Sequence, residues 1–205
     1  MRLWSSLRPL PFTIKTVIME DTKPAIVIAV VPGTRSLGIA VFMDVELIYY
    51  GIKEASKHRL RHTPYSRARE AARLVEQVIH KYQSSHFVTL NLHAVQRLSA
   101  KLPTIAKEIT RAARHLKLTL HTYERAEIRK RLCPEGRVTR QTVAIHLATL
   151  YPELSRHVKD VSLWQRLYYA RMFDAVAAGY VRTLELQRER ERLQLARQDE
   201  RLLSN

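Results

Sequence analysis

The sequence predicts an α/β domain in which helices cover a mixed five-stranded sheet. Three short runs of β-type residues, joined by tight turns, fill residues 25–53 and are typical of an antiparallel meander. After them, helical periodicity alternates with two more short β-type runs, which is typical of strands joined by helical crossovers. The resulting element order, βββ-α-β-α-β-α-α, places helices on the faces of one sheet.

The first three strands are predicted from residue type and from turns. Residues 25–31, AIVIAVV, form a continuous apolar run rich in β-branched residues, as expected of a strand buried on both faces. Pro-Gly-Thr at 32–34 turns the chain into a second strand over 37–43, and a third strand over 45–53 follows Asp44.

The remaining elements are predicted from apolar spacing. Residues that recur at helical intervals indicate helices over 65–82, 103–116 and 139–151. Short strands are predicted between them, over 87–92 and 118–123. A final helix is expected from about residue 163 to beyond 184.

The chain divides into three parts by composition. We expect an N-terminal lead over 1–23, one folded domain over 24–184 and a charged helical extension over 185–205. The extension contains 5 Arg and 5 acidic residues, so it adds no net charge. Pairs at i,i+3, Glu185/Arg188 and Glu189/Arg192, are expected to prolong the last helix into solvent.

Composition excludes several classes of protein. A single cysteine, Cys133, excludes a disulfide scaffold and a cysteine-rich zinc site. The 5 glycines and 8 prolines exclude a collagen-like chain. Because no apolar run approaches the roughly 18 to 20 residues of a membrane span, we expect a soluble, cytoplasmic protein that does not bind a membrane.

The charge of the chain indicates its partner. The sequence has 35 Lys+Arg and 19 Asp+Glu, a net charge of +16. Residues 53–73 carry 7 basic and 2 acidic residues, and residues 97–140 carry 12 basic and 4 acidic residues. The surplus therefore belongs to the folded middle of the chain, which favours a polyanionic partner, nucleic acid first among them.

Four phrases of the sequence, in order, resemble RuvC-type Holliday-junction resolvases. They are VPGTRSLGIAV at 31–41, YYGIK at 49–53, the segment 127–150 that leads into a helix, and FDAVAAGY at 173–180. The resemblance covers roughly residues 24–183. It implies a ribonuclease H-like fold, a DNA rather than an RNA partner, and a homodimer. It also implies hydrolysis of phosphodiesters by two Mg²⁺ ions, which a ring of carboxylates must hold.

Most positions of that carboxylate ring are not acidic in this sequence. The resemblance places an Asp before Pro-Gly, where the chain has Val31. It places a Glu at the end of the fourth strand, which falls on Leu90 or Asn91. An Asp or His expected one turn before Asp174 is Arg171. One carboxylate beside a guanidinium cannot hold two divalent cations, so no metal site is predicted.

Asp174 is thus the only candidate catalytic acid, and it has two interpretations. In one, it is the remnant of a site that other acids rebuild, and Mg²⁺ is the cofactor. Alternatively it forms an ion pair with Arg171 or Arg140 and holds no metal.

Candidate phosphate contacts lie in three places: the turn after the first strand, the residues after the third, and the start of the helix near 139, where N-terminal amides favour anions. They are Thr34, Arg35, Ser36, Lys53, Lys57, Arg59, Arg61, Arg137, Thr139 and Arg140. Stacking on bases or ordinary packing is expected for Tyr49, Tyr50, Tyr65 and Tyr123.

The interpretation that the sequence favours is a RuvC-like protein without catalytic activity that binds branched or structured DNA through a basic face. Two alternatives remain open. One is an active, metal-dependent, structure-specific endonuclease with a rebuilt acidic site. The other is a structural or interaction scaffold that uses the fold and the C-terminal helix.

Overall fold

The predicted five-stranded mixed sheet is present in the computed structural model, which describes residues 24–55, 64–91, 101–134, 138–159 and 161–203. The strands are β1 Ile26–Pro32, β2 Ser36–Met43, β3 Glu46–Glu54, β4 His86–Leu90 and β5 Thr119–Tyr123. Their order in the sheet is β3-β2-β1-β4-β5. The meander β1–β3 is antiparallel, and β1, β4 and β5 are parallel, so both halves of the prediction are confirmed.

The helices also match the prediction, with one addition. They are α1 Pro64–Tyr82, α2 Lys101–His115, α3 Arg125–Leu132, α4 Arg140–Leu150 and α5 Leu163–Leu203, with a 3₁₀ helix over Pro152–His157 between the last two. The addition is α3, which buries Ile128 and Leu132 one turn apart among cationic neighbours. Within the described ranges, no helix has both the length and the apolar composition that a membrane span requires.

Strand β1 forms the centre of the core because its side chains point alternately to two apolar layers. Val27, Ala29 and Val31 pack in one cluster with residues of α3, α4 and α5. Ile28 and Val30 pack in the other cluster, with α1 and α2. The prediction that this strand is buried on both faces is confirmed.

Helix α5 lies directly on the sheet because two glycines let it approach. A Cβ atom at Gly38 of β2 would lie 2.2 Å from the carbonyl oxygen of Arg171, and one at Gly179 would lie 2.5 Å from the Phe42 ring. Farther along the helix, Arg190 Nη1 contacts Asp44 Oδ1 at 2.7 Å. Since Gly38 pairs with the end of β1 and Asp44 lies beside its start, α5 runs antiparallel to β1.

Strands β1, β3, β4 and β5 all run in the same direction, so their last residues lie along one side of the sheet. We call this side the carboxyl edge. In open α/β sheets, ligands bind outside the carboxyl ends of the strands. The start of α5 lies over this edge and brings Arg171 and Asp174 to it.

Candidate nucleic-acid interface

The two strand positions where carboxylates were expected are apolar and buried. Val31, near the end of β1, has 0% of its surface exposed, and Leu90, at the end of β4, has 3% exposed. The next residue, Asn91, is half-buried, and its backbone N–H donates to the carbonyl of Tyr123 at 2.8 Å. Neither β1 nor β4 therefore supplies an acid to the carboxyl edge.

Asp174 is held by two arginines from other elements. Arg125, the first residue of α3, donates through Nε to Asp174 Oδ2 at 3.1 Å. Arg140, the first residue of α4, places Nη2 at 3.6 Å from the same oxygen. The Asp174 side chain is only 14% exposed. The predicted ion pair is thus present with Arg140, and Arg125 is a partner that the sequence did not indicate.

Arg171 adds a third guanidinium to this group. Its side chain lies against Gly33, where an added Cβ would be 2.2 Å from the arginine Nε. Burial lowers the pKa of Arg171, and the charges of Arg140 and Arg125 lower it further, while Asp174 acts in the opposite direction. We call Arg125, Arg140 and Arg171, gathered around Asp174, the arginine cluster. It carries three formal positive charges and one negative charge.

The donor set of the arginine cluster does not fit a pair of Mg²⁺ ions. Mg²⁺ requires several oxygen ligands in near-octahedral geometry. Here the single carboxylate already accepts a hydrogen bond from Arg125 and forms an ion pair with Arg140, and cations surround it. Across the described ranges, no three His, Cys, Asp or Glu side chains come together as a metal site.

The turn after β1 contributes one accessible cation. Its shape is fixed by the N–H of Gly33, which donates to the carbonyl of Ser36 at 2.8 Å. Arg35 is exposed, Thr34 is half-buried, and Ser36 is buried with 8% of its surface exposed. Of the three residues predicted in this turn, Arg35 is therefore the one whose side chain extends farthest into solvent.

The other predicted contacts fall partly within the structure. Lys53 is exposed near the end of β3, which places it on the carboxyl edge. Thr139 caps α4, because its side-chain oxygen accepts the N–H of Thr142 at 3.1 Å, and its hydroxyl is therefore engaged. Arg140 belongs to the arginine cluster. Lys57, Arg59, Arg61 and Arg137 lie outside the described residues.

An apolar groove adjoins the arginine cluster between α4, the 3₁₀ helix and α5. Its volume is about 160 Å³. It shares Arg140 and Asp174 with the cluster, and the rest of its lining is mostly apolar: Gln141, Val143, Ala144, His157, Val158, Arg166, Leu167, Ala170 and Phe173. No sequence pattern indicated this groove, because its walls come from three separate elements.

A second group of charges lies farther along α5. Arg182 Nη1 contacts Glu185 Oε2 at 3.1 Å and Glu189 Oε1 at 2.9 Å. Glu185 also accepts hydrogen bonds from Tyr123 of β5 and Arg131 of α3. We call these five residues the Glu185 cluster. Tyr123, Arg131 and Arg182 are the partners of the two glutamates. The predicted pairs Glu185/Arg188 and Glu189/Arg192 are therefore wrong.

Hydrogen bonds determine the direction in which the pKa of Glu185 is shifted. Burial alone would raise the pKa of Glu185, but hydrogen bonds from Tyr123, Arg131 and Arg182 outweigh it, and the net shift is downward. Tyr123 is 7% exposed and donates its hydroxyl to Glu185, so it packs in the interior and does not offer its ring to a base.

Comparison with known proteins identifies the fold. No protein-family model matches the sequence, and no curated protein sequence matches it. The structure of Thermus thermophilus RuvC is similar with a TM-score of 0.59 and 16% identity, over 76% of this chain and 91% of that one. Thermus thermophilus RuvC in complex with a Holliday junction substrate is similar with a TM-score of 0.58 and 15% identity, over 76% and 90%. The chain thus has the ribonuclease H-like fold of RuvC, as the four phrases implied.

Proposed function

We propose that this RuvC-like chain binds branched or structured DNA at its carboxyl edge and does not cleave it. The arginine cluster is the observation that carries the proposal. Where this fold would need carboxylates to hold metal ions, the chain has three guanidinium groups around one acid. Guanidinium groups bind phosphate directly, and their binding releases counterions from DNA.

Binding is supported by the fold and by the distribution of charge. A similar structure, RuvC from Thermus thermophilus, is known in complex with a Holliday junction substrate. Arg35 and Lys53 are exposed on the carboxyl edge of this chain, on the same side as the arginine cluster. Basic residues from several elements thus lie along this edge, and they favour DNA as the partner.

The absence of cleavage follows from the chemistry of phosphodiester hydrolysis in this fold. Two metal ions activate the water and stabilise the leaving oxygen, and carboxylates must hold both ions. Val31 and Leu90 have no side-chain oxygen to offer, and Asp174 is engaged by Arg125 and Arg140. Among the described residues, this arrangement supports the proposal that the edge holds a DNA backbone rather than a metal-activated water.

A homodimer is part of the proposal. The start of α5 exposes large apolar side chains, with Leu163 at 73% and Trp164 at 80% exposed. Contiguous apolar surface of this kind is typical of sites where proteins associate. Light scattering after gel filtration should give the mass of two chains, and Trp164→Glu should give the mass of one. A wild-type mass of one chain would remove the dimer from the proposal.

The function is tested by incubating the protein with four-way junctions, duplex and single-stranded DNA, each with Mg²⁺ or Mn²⁺. We expect junction binding that weakens steeply with salt, and intact DNA under every condition. An active RuvC-type resolvase serves as the positive control for cleavage. Cleavage that Asp174→Asn abolishes would establish the nuclease alternative. No binding at about 50 mM salt would favour the scaffold alternative.

A further inference from the structure

We propose that the arginine cluster and the adjoining groove form a subsite for one unpaired nucleotide of the bound DNA. The cluster holds the phosphate of that nucleotide, and the groove takes its base. This inference rests on the proposed function, and it names the feature of branched DNA that the carboxyl edge selects.

The arginine cluster fits a phosphate because its charges do not balance. The guanidinium groups of Arg125 and Arg140 contact the carboxylate of Asp174, and that of Arg171 lies near them. Their mutual repulsion contributes to the lowered pKa of Arg171. Each guanidinium carries five N–H donors, so the contacts of Arg125 and Arg140 with Asp174 engage only part of their capacity. A phosphate placed here would receive charge-assisted hydrogen bonds and relieve the repulsion.

The groove fits a base because it is apolar, adjacent to the cluster and limited in size. It has a volume of about 160 Å³, and Val143, Ala144 and Phe173 contribute apolar walls. Arg140 belongs to both the groove and the cluster, so a group in the groove lies next to a phosphate on the cluster. A second arginine, Arg166, lines the groove, and guanidinium planes stack on bases.

The nucleotide must be unpaired, because a base inside a duplex is stacked and hydrogen-bonded. Moving such a base into a protein pocket costs a few kcal/mol, and the cost is least where the base is already unpaired. Branch points and bulges supply such bases. The subsite would therefore distinguish branched DNA from duplex without reading its sequence.

The test compares three duplexes that differ at one position. The first has a single unpaired thymidine, the second has an abasic residue in its place, and the third has the thymidine with a neutral methylphosphonate as its phosphate. Fluorescence anisotropy at constant salt gives the affinities. We expect the unpaired thymidine to bind about tenfold more tightly than the abasic duplex, as stacking of one base implies. The methylphosphonate should also weaken binding about tenfold, since a charge-assisted hydrogen bond is lost.

Two kinds of variant separate the halves of the subsite. Ala144→Leu fills the groove from α4 without changing charge, and it should abolish the preference for thymidine over the abasic residue. Ala170→Leu fills the same groove from α5 and covers the case in which the first variant does not fold. Arg171→Gln should make the phosphodiester and the methylphosphonate bind equally. Arg114→Gln, an exposed arginine of α2 on the other face of the sheet, is the matched control and should retain both preferences.

The outcomes distinguish the subsite from the function on which it rests. Equal binding of thymidine and abasic duplexes, with junction binding retained, would overturn the subsite and leave the proposed function in place. Loss of binding to all DNA would overturn both. A duplex that ends in a 5′-phosphate provides one more arm. Tighter binding to that terminal phosphate than to the internal unpaired thymidine would show that the cluster selects strand ends, and this result would also overturn the subsite.

Discussion

Helix α5 carries two clusters of charge that are built from the same residue types but balanced differently. In the Glu185 cluster, Arg131 and Arg182 face Glu185 and Glu189, so positive and negative charges are equal. In the arginine cluster, three guanidinium groups face Asp174 alone. Asp174 and Glu185 are about 16 Å apart along the helix axis. Helix α5 thus takes part in a balanced set of charges in the Glu185 cluster and in an excess of positive charge in the arginine cluster.

Under the proposed function, the difference separates a structural role from a binding role. The Arg182 side chain is 8% exposed, and its partner Glu185 also contacts Tyr123 of β5 and Arg131 of α3. A buried arginine of this kind needs its carboxylates, and the balanced cluster has no excess positive charge. The arginine cluster has two positive charges in excess, and a DNA phosphodiester would neutralise one of them. Each prediction below makes a change within or beside one cluster and leaves the other intact.

The largest effect is expected from placing an acid at the carboxyl edge. Val31→Asp puts a carboxylate where the side chain is 0% exposed and packed among apolar residues. We expect the free energy of unfolding to fall by about 3–5 kcal/mol, measured by urea denaturation, because burying a carboxylate among apolar side chains is strongly unfavourable.

Val31→Asn, which has the same shape without the charge, is the control for Val31→Asp. Millimolar Mg²⁺ should not restore the stability of the Asp variant. A rise in the free energy of unfolding of Val31→Asp to that of Val31→Asn on addition of Mg²⁺ would show that the carboxyl edge can bind a cation. That result would contradict the difference between the arginine cluster and the Glu185 cluster.

The next effect compares the two acids directly. Glu185→Gln should lower the free energy of unfolding by about 1–3 kcal/mol, because it weakens hydrogen bonds to a buried arginine. Its affinity for junction DNA should equal that of the wild type. Asp174→Asn should bind junction DNA several-fold more tightly, since it removes the only negative charge of the arginine cluster.

Titrations at several salt concentrations provide the second measurement for these variants. The slope of log affinity against log salt should become steeper for Asp174→Asn and stay constant for Glu185→Gln. Weaker DNA binding by Asp174→Asn would contradict the view that this acid competes with phosphate.

A smaller effect tests the position of Arg171. A Cβ at Gly33 would lie 2.2 Å from Arg171 Nε, so Gly33→Ala must displace the guanidinium. Because a flexible side chain can move, we expect the free energy of unfolding to change by less than about 1 kcal/mol. Junction affinity should fall several-fold. Gly51→Ala, whose Cβ would meet nothing closer than 3.4 Å, is the matched control.

The smallest effect is a dependence of stability on pH beside the Glu185 cluster. Burial and the charge of Arg182 lower the pKa of His86 and of His121 from 6.5. Their rings lie 5.6 Å apart, with Glu185, Glu189 and Arg190 also near them. The unfolded chain therefore binds protons at these histidines more readily than the folded protein does. Their contribution to stability is fully present above about pH 6.5 and declines below it.

Urea denaturation at about pH 7 and about pH 5 should show this decline. The combined variant His86→Gln and His121→Gln should reduce it. The lowered pKa of Glu185 keeps that carboxylate ionised over the whole window, because its contribution is lost only below 4.5. A wild-type free energy of unfolding that rises toward pH 5 would contradict the conclusion that the surroundings of His86 and His121 lower their pKa values.

The sheet and most helices were predictable because their signals are local. The apolar run of β1 and the Pro-Gly turn after it identify the centre of the fold directly. Helix α3 was not predicted, because only Ile128 and Leu132 mark its buried side among basic residues. Packing against the α5 layer, rather than its own sequence pattern, makes it a helix.

The site was predictable only in part, because its charges meet from distant elements. The resemblance placed Val31, Leu90 or Asn91, and Arg171 at positions of acids, and the sequence offered Arg171 or Arg140 as the partner of Asp174. It did not indicate Arg125, although this residue is the second after a strand that ends at the carboxyl edge. The sequence also did not indicate the contacts of the Glu185 side chain, because its partners Tyr123 and Arg131 lie in β5 and α3.

The length of α5 sets a fixed distance in this protein. The helix spans 41 residues, about 60 Å, and it is fastened to the sheet both at Gly38 and at Asp44. Leu195, which is 61% exposed, stands about 30 Å beyond Asp174 along the axis. This is the length of about nine base pairs of duplex DNA. A group attached near Leu195 is therefore held at a fixed distance and orientation relative to the arginine cluster.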